Sequence, residues 1–121
     1  MRILQVIHDF LPHHAAGAEL YCFYLSRQLA KRHSVYLMFT EVDHAKPQYY
    51  HRRSSYMGLP FYEVTHNHVY RRFEDTYADP AMDRVFASVL DDVRPDVVHF
   101  QHLLNHSIDY ISIGAGLGWR F

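Results

Sequence analysis

The 121 residues carry 12 Lys plus Arg against 13 Asp plus Glu, with 49% hydrophobic and 21% charged residues. That is one globular domain's worth of chain, with enough apolar content to exclude intrinsic disorder. The formal net charge of −1 announces neither a nucleic-acid binder nor an acidic tail. The lone cysteine, Cys22, excludes an internal disulfide framework and a cysteine-based zinc site, and it suits a reducing compartment. The apolar run at the N-terminus is too short for a signal peptide, and no stretch approaches the ~20 apolar residues of a membrane span. Eleven histidines make the net charge climb below about pH 6.5.

In chain order, Ile3-Leu4-Gln5-Val6-Ile7 is a short apolar run with β-branched residues, which predicts a buried strand. His8 to Ala16 contains Pro12 and His13-His14 and reads as a loop. Gly17-Ala18-Glu19 opens a helix whose apolar stripe is Ala18, Cys22, Leu25 and Leu29, with Tyr21 beside it. Arg27, Gln28, Lys31 and Arg32 fall on its polar side. Ser34 to Phe39 predicts a second strand. Residues 41–60, with Pro47, Arg52-Arg53, Gly58 and Pro60, read as a long loop or insertion.

Phe61 to Thr65 predicts a third strand, and Asn67 to Asp79 is irregular. The strongest helix runs from Pro80 to Val93, with Met82, Val85, Phe86, Val89, Leu90 and Val93 on one stripe. Asp79 is its natural N-cap, Pro80 its first helical residue, and Arg94-Pro95-Asp96 its stop. Val97 to His102 predicts a fourth strand. Ser107 could cap a last helix carrying Ile108, Ile111 and Ile113, and Gly114 to Phe121 lacks periodicity.

This order predicts an α/β fold: a Rossmann-like open parallel sheet of about four strands with helices on both faces. Four strands are part of a six-stranded doubly wound sheet, so the domain is expected to be incomplete. The fourth strand is then expected at an open edge, available to a partner or a second copy.

In open parallel sheets, ligands bind beyond the carboxyl ends of the strands. That rule singles out His8 and Asp9 after the first strand, His102 after the fourth, and Ala16-Gly17 where the first helix begins. A glycine there lets a phosphate approach the backbone, and a helix start offers free N–H groups. The spacing is neither Gly-x-Gly-x-x-Gly nor a phosphate-loop motif, so Gly17 also reads as a plain helix-start glycine. Glu19 reads as a carboxylate favourably placed against the helix dipole. His99, His102 and His106 would align on a helix, but a strand turns His99 and His102 to opposite faces, and no metal is expected. His66 and His68 would share a strand face. Cys22 reads as core. Arg52-Arg53 and Arg71-Arg72 could meet a phosphorylated acceptor or an anionic membrane, or be solvated loop arginines.

The run Met1-Arg2-Ile3-Leu4-Gln5-Val6, then Pro12, then Ala16-Gly17-Ala18-Glu19, then Leu29-Ala30-Lys31-Arg32-His33-Ser34-Val35, resembles the start of family 4 glycosyltransferases. Asp79-Pro80 and the helix after it, and Arg94-Pro95-Asp96-Val97-Val98-His99-Phe100-Gln101-His102-Leu103, resemble the same family's later segments. Residues 41–78 match poorly.

The resemblance implies a retaining enzyme with two facing Rossmann-like domains and a nucleotide-sugar as donor substrate, with no cofactor or metal. Residues 1–121 would be the N-terminal, acceptor-side domain, and the C-terminal donor-binding domain, with its pair of glutamates eight apart, would be absent. Ala16 and Gly17 would match the donor-phosphate loop, which in the family reads Gly-Gly. His8, Asp9 and His102 would line a site for a sugar or lipid-linked acceptor, and no catalytic side chain is assigned. A cytoplasmic location, at or near the inner membrane face, is the matching expectation. The rival readings are a non-catalytic remnant or partner-binding module using the open sheet edge, and a dinucleotide-binding domain. The missing glycine fingerprint argues against the latter.

Overall fold

A computed structural model describes residues 1–116. The first strand, β1, spans Arg2–Val6, and helix α1 spans Gly17–Leu29. Strand β2 covers Ser34–Glu41, β3 His51–Tyr56 and β4 Leu59–Thr65. A single 3-10 turn at Phe73–Thr76 precedes helix α2, Pro80–Val93. Strand β5 is Val97–Phe100, and helix α3 is Tyr110–Gly116. The strands form a five-stranded sheet in the order β3-β4-β2-β1-β5. All neighbours are parallel except β3, which runs antiparallel to β4. This is an α/β, Rossmann-like sheet, and the strand that sequence reading placed fourth, β5, lies at its edge as expected.

Strand alternation sends successive side chains to opposite faces, and the core divides accordingly. Leu4, Val6, Met38, Tyr62 and Val64 pack on one face with Met82, Phe86, Val89 and Leu90 of α2 and Tyr110 of α3. Ile3, Ile7, Val35, Leu37, Phe39 and Phe61 pack on the other with Cys22 and Phe23 of α1, and Phe10 and Leu11 of the first loop. Helices therefore cover both faces. Asp79 caps α2 through Oδ1, which accepts from the backbone N–H of Ala81 at 3.0 Å and of Met82 at 3.3 Å. Arg94 ends α2 in the left-handed region at φ 49°.

The structure corrects three expectations. Residues 41–60 are not one loop, because they contain β3, and the sheet has five strands rather than four. Met57 (φ 51°) and Gly58 (φ 81°) form the two-residue turn between β3 and β4, and positive φ at both turn positions matches the twist of a hairpin. Strand β3 is polar because it is an edge: Arg52 Nε donates to Glu63 Oε2 at 2.5 Å across the ladder, and Arg53 lies 3.5 Å from Asp92. Charged residues on an edge discourage further pairing.

Second, the buried stripe of α1 is Glu19, Cys22, Phe23 and Ser26, whereas Ala18 and Tyr21 are exposed. On this buried face Glu19 meets His8 of the first loop, and Phe23 packs on the aromatic side chain of Phe10. Third, α3 buries Tyr110 and leaves Ile111 half-exposed, and Ile108, expected on this helix, precedes it and is half-exposed too. Tyr110 stacks on Phe86 with ring centroids 4.2 Å apart, an arrangement that an aromatic pair favours beyond its area. Gly114 to Gly116, expected to be aperiodic, belong to α3; the rest of that expected tail, 117–121, lies outside the described residues.

Candidate functional site

The carboxyl ends of β1, β2 and β5 and the start of α1 bring most of the singled-out residues together. His8 lies just past β1 and packs against His102, just past β5, with ring centroids 4.4 Å apart and the planes tilted by 48°. The backbone N–H of Gln101 donates to Val6 O at 2.8 Å, which fixes the approach of the two strand ends. His102 is exposed, and its Nδ1 accepts from the backbone N–H of Leu104 at 3.0 Å. Asp9 Oδ2 lies 3.7 Å from His8 Nε2.

Glu19 sits in the first turn of α1, as its placement against the helix dipole requires, but it is also buried: it is 3% exposed, and its Oε1 lies 3.2 Å from His8 Nε2. The only sequence signal of this burial was the spacing of Glu19, Cys22, Phe23 and Ser26, which is a helical stripe that contains two polar members. His14 and Glu41 extend the group. His14 Nε2 lies 3.1 Å from Glu41 Oε1 and 3.9 Å from Asp9 Oδ1. Burial disfavours the His14 charge, but the hydrogen bond to Glu41 and the carboxylates of Asp9, Glu41 and Glu19 outweigh it and raise the His14 pKa above its ordinary value.

Ala16 precedes α1 as its N-cap, extended at φ −87°, and no side chain caps the helix. The methyl group at this position therefore sits on ordinary backbone. A Cβ built on Gly17 would meet nothing within 4 Å, so the space over the helix start is open. The loop leading there contains a cis peptide bond before Pro12.

The other histidines do not join this group. His99 is exposed on β5 beside Gln101. His106 is buried, with Nε2 2.8 Å from Ile7 O and Nδ1 2.9 Å from the Tyr110 hydroxyl. The Ile7 carbonyl can only accept, so Nε2 carries the proton and Nδ1 accepts from Tyr110. Burial pushes the His106 pKa down to about 4. His66 and His68 do not share a strand face: β4 ends at Thr65, and His68 has φ 59°. His66 is buried 3.7 Å from Asp79, and burial lowers its pKa. Cys22 is buried, as expected of a core residue, and burial pushes its thiol up to about 11. Arg52, Arg53 and Arg72 each lie against a carboxylate, of Glu63, Asp92 and Asp75 respectively. No helix among the described residues is long and apolar enough to cross a membrane.

The site is thus a shallow edge of imidazoles and carboxylates beside an uncapped, sterically open helix start. Such groups present both donors and acceptors, as sugar hydroxyls require, and a helix start suits an anion. No curated protein matches the chain, and no solved structure does. The model of Glycosyltransferase Family 4 matches residues 15–121, which include the helix start, the capped helix α2 and strand β5. The chain belongs to glycosyltransferase family 4.

Proposed function

We propose that this chain forms the acceptor side, and one wall of the donor-phosphate site, of a retaining sugar transfer from a nucleotide-sugar. The observation that carries the reading is the open, uncapped start of α1 at Gly17, beside the His8, Asp9 and His102 group. In the reaction the bond from the sugar's anomeric carbon to the diphosphate oxygen breaks, and the acceptor hydroxyl oxygen takes its place and releases its proton. Charge grows on the departing diphosphate, and fixed backbone N–H groups at a helix start stabilise it without reorganising. His8, Asp9 and His102 hold the hydroxyls of a free or lipid-linked sugar acceptor. Residues 1–121 alone hold the donor incompletely, and a nucleotide-holding domain completes the site.

The test is a chimera joining this chain to the nucleotide-holding half of a family 4 enzyme, assayed for sugar transfer from that enzyme's donor. Transfer is expected, with a loss of about tenfold or more on Gly17→Asp, which places a carboxylate where the diphosphate would lie. A folded chimera that transfers equally well with Gly17→Asp would overturn the reading.

A further inference from the structure

We propose that His8, Asp9 and Glu19 form a binding site for a divalent cation of the zinc class. Their ligand atoms all lie within 4.8 Å of one another. Around His8 Nε2 the separations are 3.2 Å to Glu19 Oε1 and 3.7 Å to Asp9 Oδ2. Tetrahedral zinc with ligand bonds of 2.0–2.2 Å needs ligand atoms about 3.4 Å apart. The two separations from His8 Nε2 bracket this value, and a zinc face closes when the Asp9 and Glu19 oxygens, within 4.8 Å of each other, draw together.

The alternative, a simple hydrogen bond from His8 to Glu19, leaves too much unsatisfied. A ring nitrogen carries one proton, and two carboxylates converge on it. Glu19 is 3% exposed, yet its second oxygen, Oε2, is buried without a hydrogen-bond partner. An unpaired carboxylate oxygen away from water is costly. A cation in place of the proton meets all three residues at once and offsets both carboxylate charges.

The surroundings hold the set in place and leave it reachable. The tilted His102 ring packs against the His8 ring. The other Asp9 oxygen, Oδ1, faces His14, which is itself hydrogen-bonded to Glu41. The His8 and Asp9 side chains remain 15% and 27% exposed, respectively, which leaves a path from solvent. Three protein ligands with a fourth position toward solvent is the arrangement of zinc sites that also take water or a ligand. The inference rests on these side chains and not on sugar transfer.

The experiment is a calorimetric titration of the metal-free 121-residue chain with zinc alone. It is paired with an amide NMR titration by manganese, whose paramagnetism broadens the signals nearest the ion. One zinc per chain is expected, with broadening centred on residues 8, 9 and 19. Asp9→Asn and Glu19→Gln should each weaken zinc by about tenfold or more, a change of about 1.4 kcal/mol, while His99→Ala should not. Asp9 is partly exposed, so its variant carries the test if Glu19→Gln fails to fold. No zinc binding would overturn the proposal, and so would zinc binding unchanged in Asp9→Asn or broadening centred on His13, His66 or His99.

Discussion

Acidification should destabilise this protein through His106, and the size of the effect follows from its position. The ring is fully buried between β1 and α3, donating to Ile7 O and accepting from Tyr110. Protonation would turn Nδ1 from acceptor to donor and place a charge in the core. Burial lowers the folded-state pKa to about 4, against 6.5 for the ordinary side chain. Between these values the unfolded chain binds a proton that the folded chain does not, so stability falls as pH drops through this window. At one pKa unit per about 1.36 kcal/mol, the loss from this group reaches about 3 kcal/mol near pH 4 and about 2 kcal/mol at pH 5. Well above pH 6.5 the group is neutral in both states and the slope vanishes. The assay is urea unfolding at pH 7 and pH 5 for the wild-type chain and His106→Gln, whose amide can still donate to Ile7 O. The variant should be less stable at pH 7 but lose about 2 kcal/mol less between the two pH values. Equal losses in both proteins would refute the argument, because other acid-sensitive groups, His66 included, are common to both.

Three further outcomes follow from the packing. Asp79→Ala removes the cap of α2 and the acceptor of the Tyr49 hydroxyl at 2.8 Å; urea unfolding should show a loss of about 1–2 kcal/mol, and a loss within error would contradict the cap's role. Gly58→Val forces a β-branched residue to φ 81° in the β3–β4 turn and should lower stability by about 1 kcal/mol or more, read as a fall in Tm. Gly17→Ala meets nothing within 4 Å and has no positive φ to accommodate, so Tm should hold or rise slightly; a clear fall would mean that the helix start is not open.

The parallel core of the fold was legible because each of its strands is an apolar run, and because α2 pairs a full 3.6-residue stripe with a Pro80 start and an Asp79 cap. Strand β3 was not, because its residues His-Arg-Arg-Ser-Ser-Tyr are held by the ladder to β4 and by ion pairs with Glu63 and Asp92. Those partners are distant in sequence, and a protected edge strand carries no hydrophobic signal. The facing of α1 was misjudged for a related reason: a stripe chosen by apolarity skips Glu19 and Ser26, although both are buried. The location of His8, Asp9 and His102 followed from the rule that strand ends gather ligand groups. The contact of Glu19 with His8 did not, since it depends on how the helix rotates against the sheet.

The most direct measurement of the central claim is an amide NMR titration of the 121-residue chain with a panel of nucleotide-sugars and simple sugars. Shifts are expected at the backbone of Gly17, Ala18 and Glu19 with nucleotide-sugars, and at His8, Asp9 and His102 with sugars. Shifts confined to the opposite sheet end, around Arg2, Lys31 and Arg94, or no shifts with any compound at millimolar concentration, would contradict it.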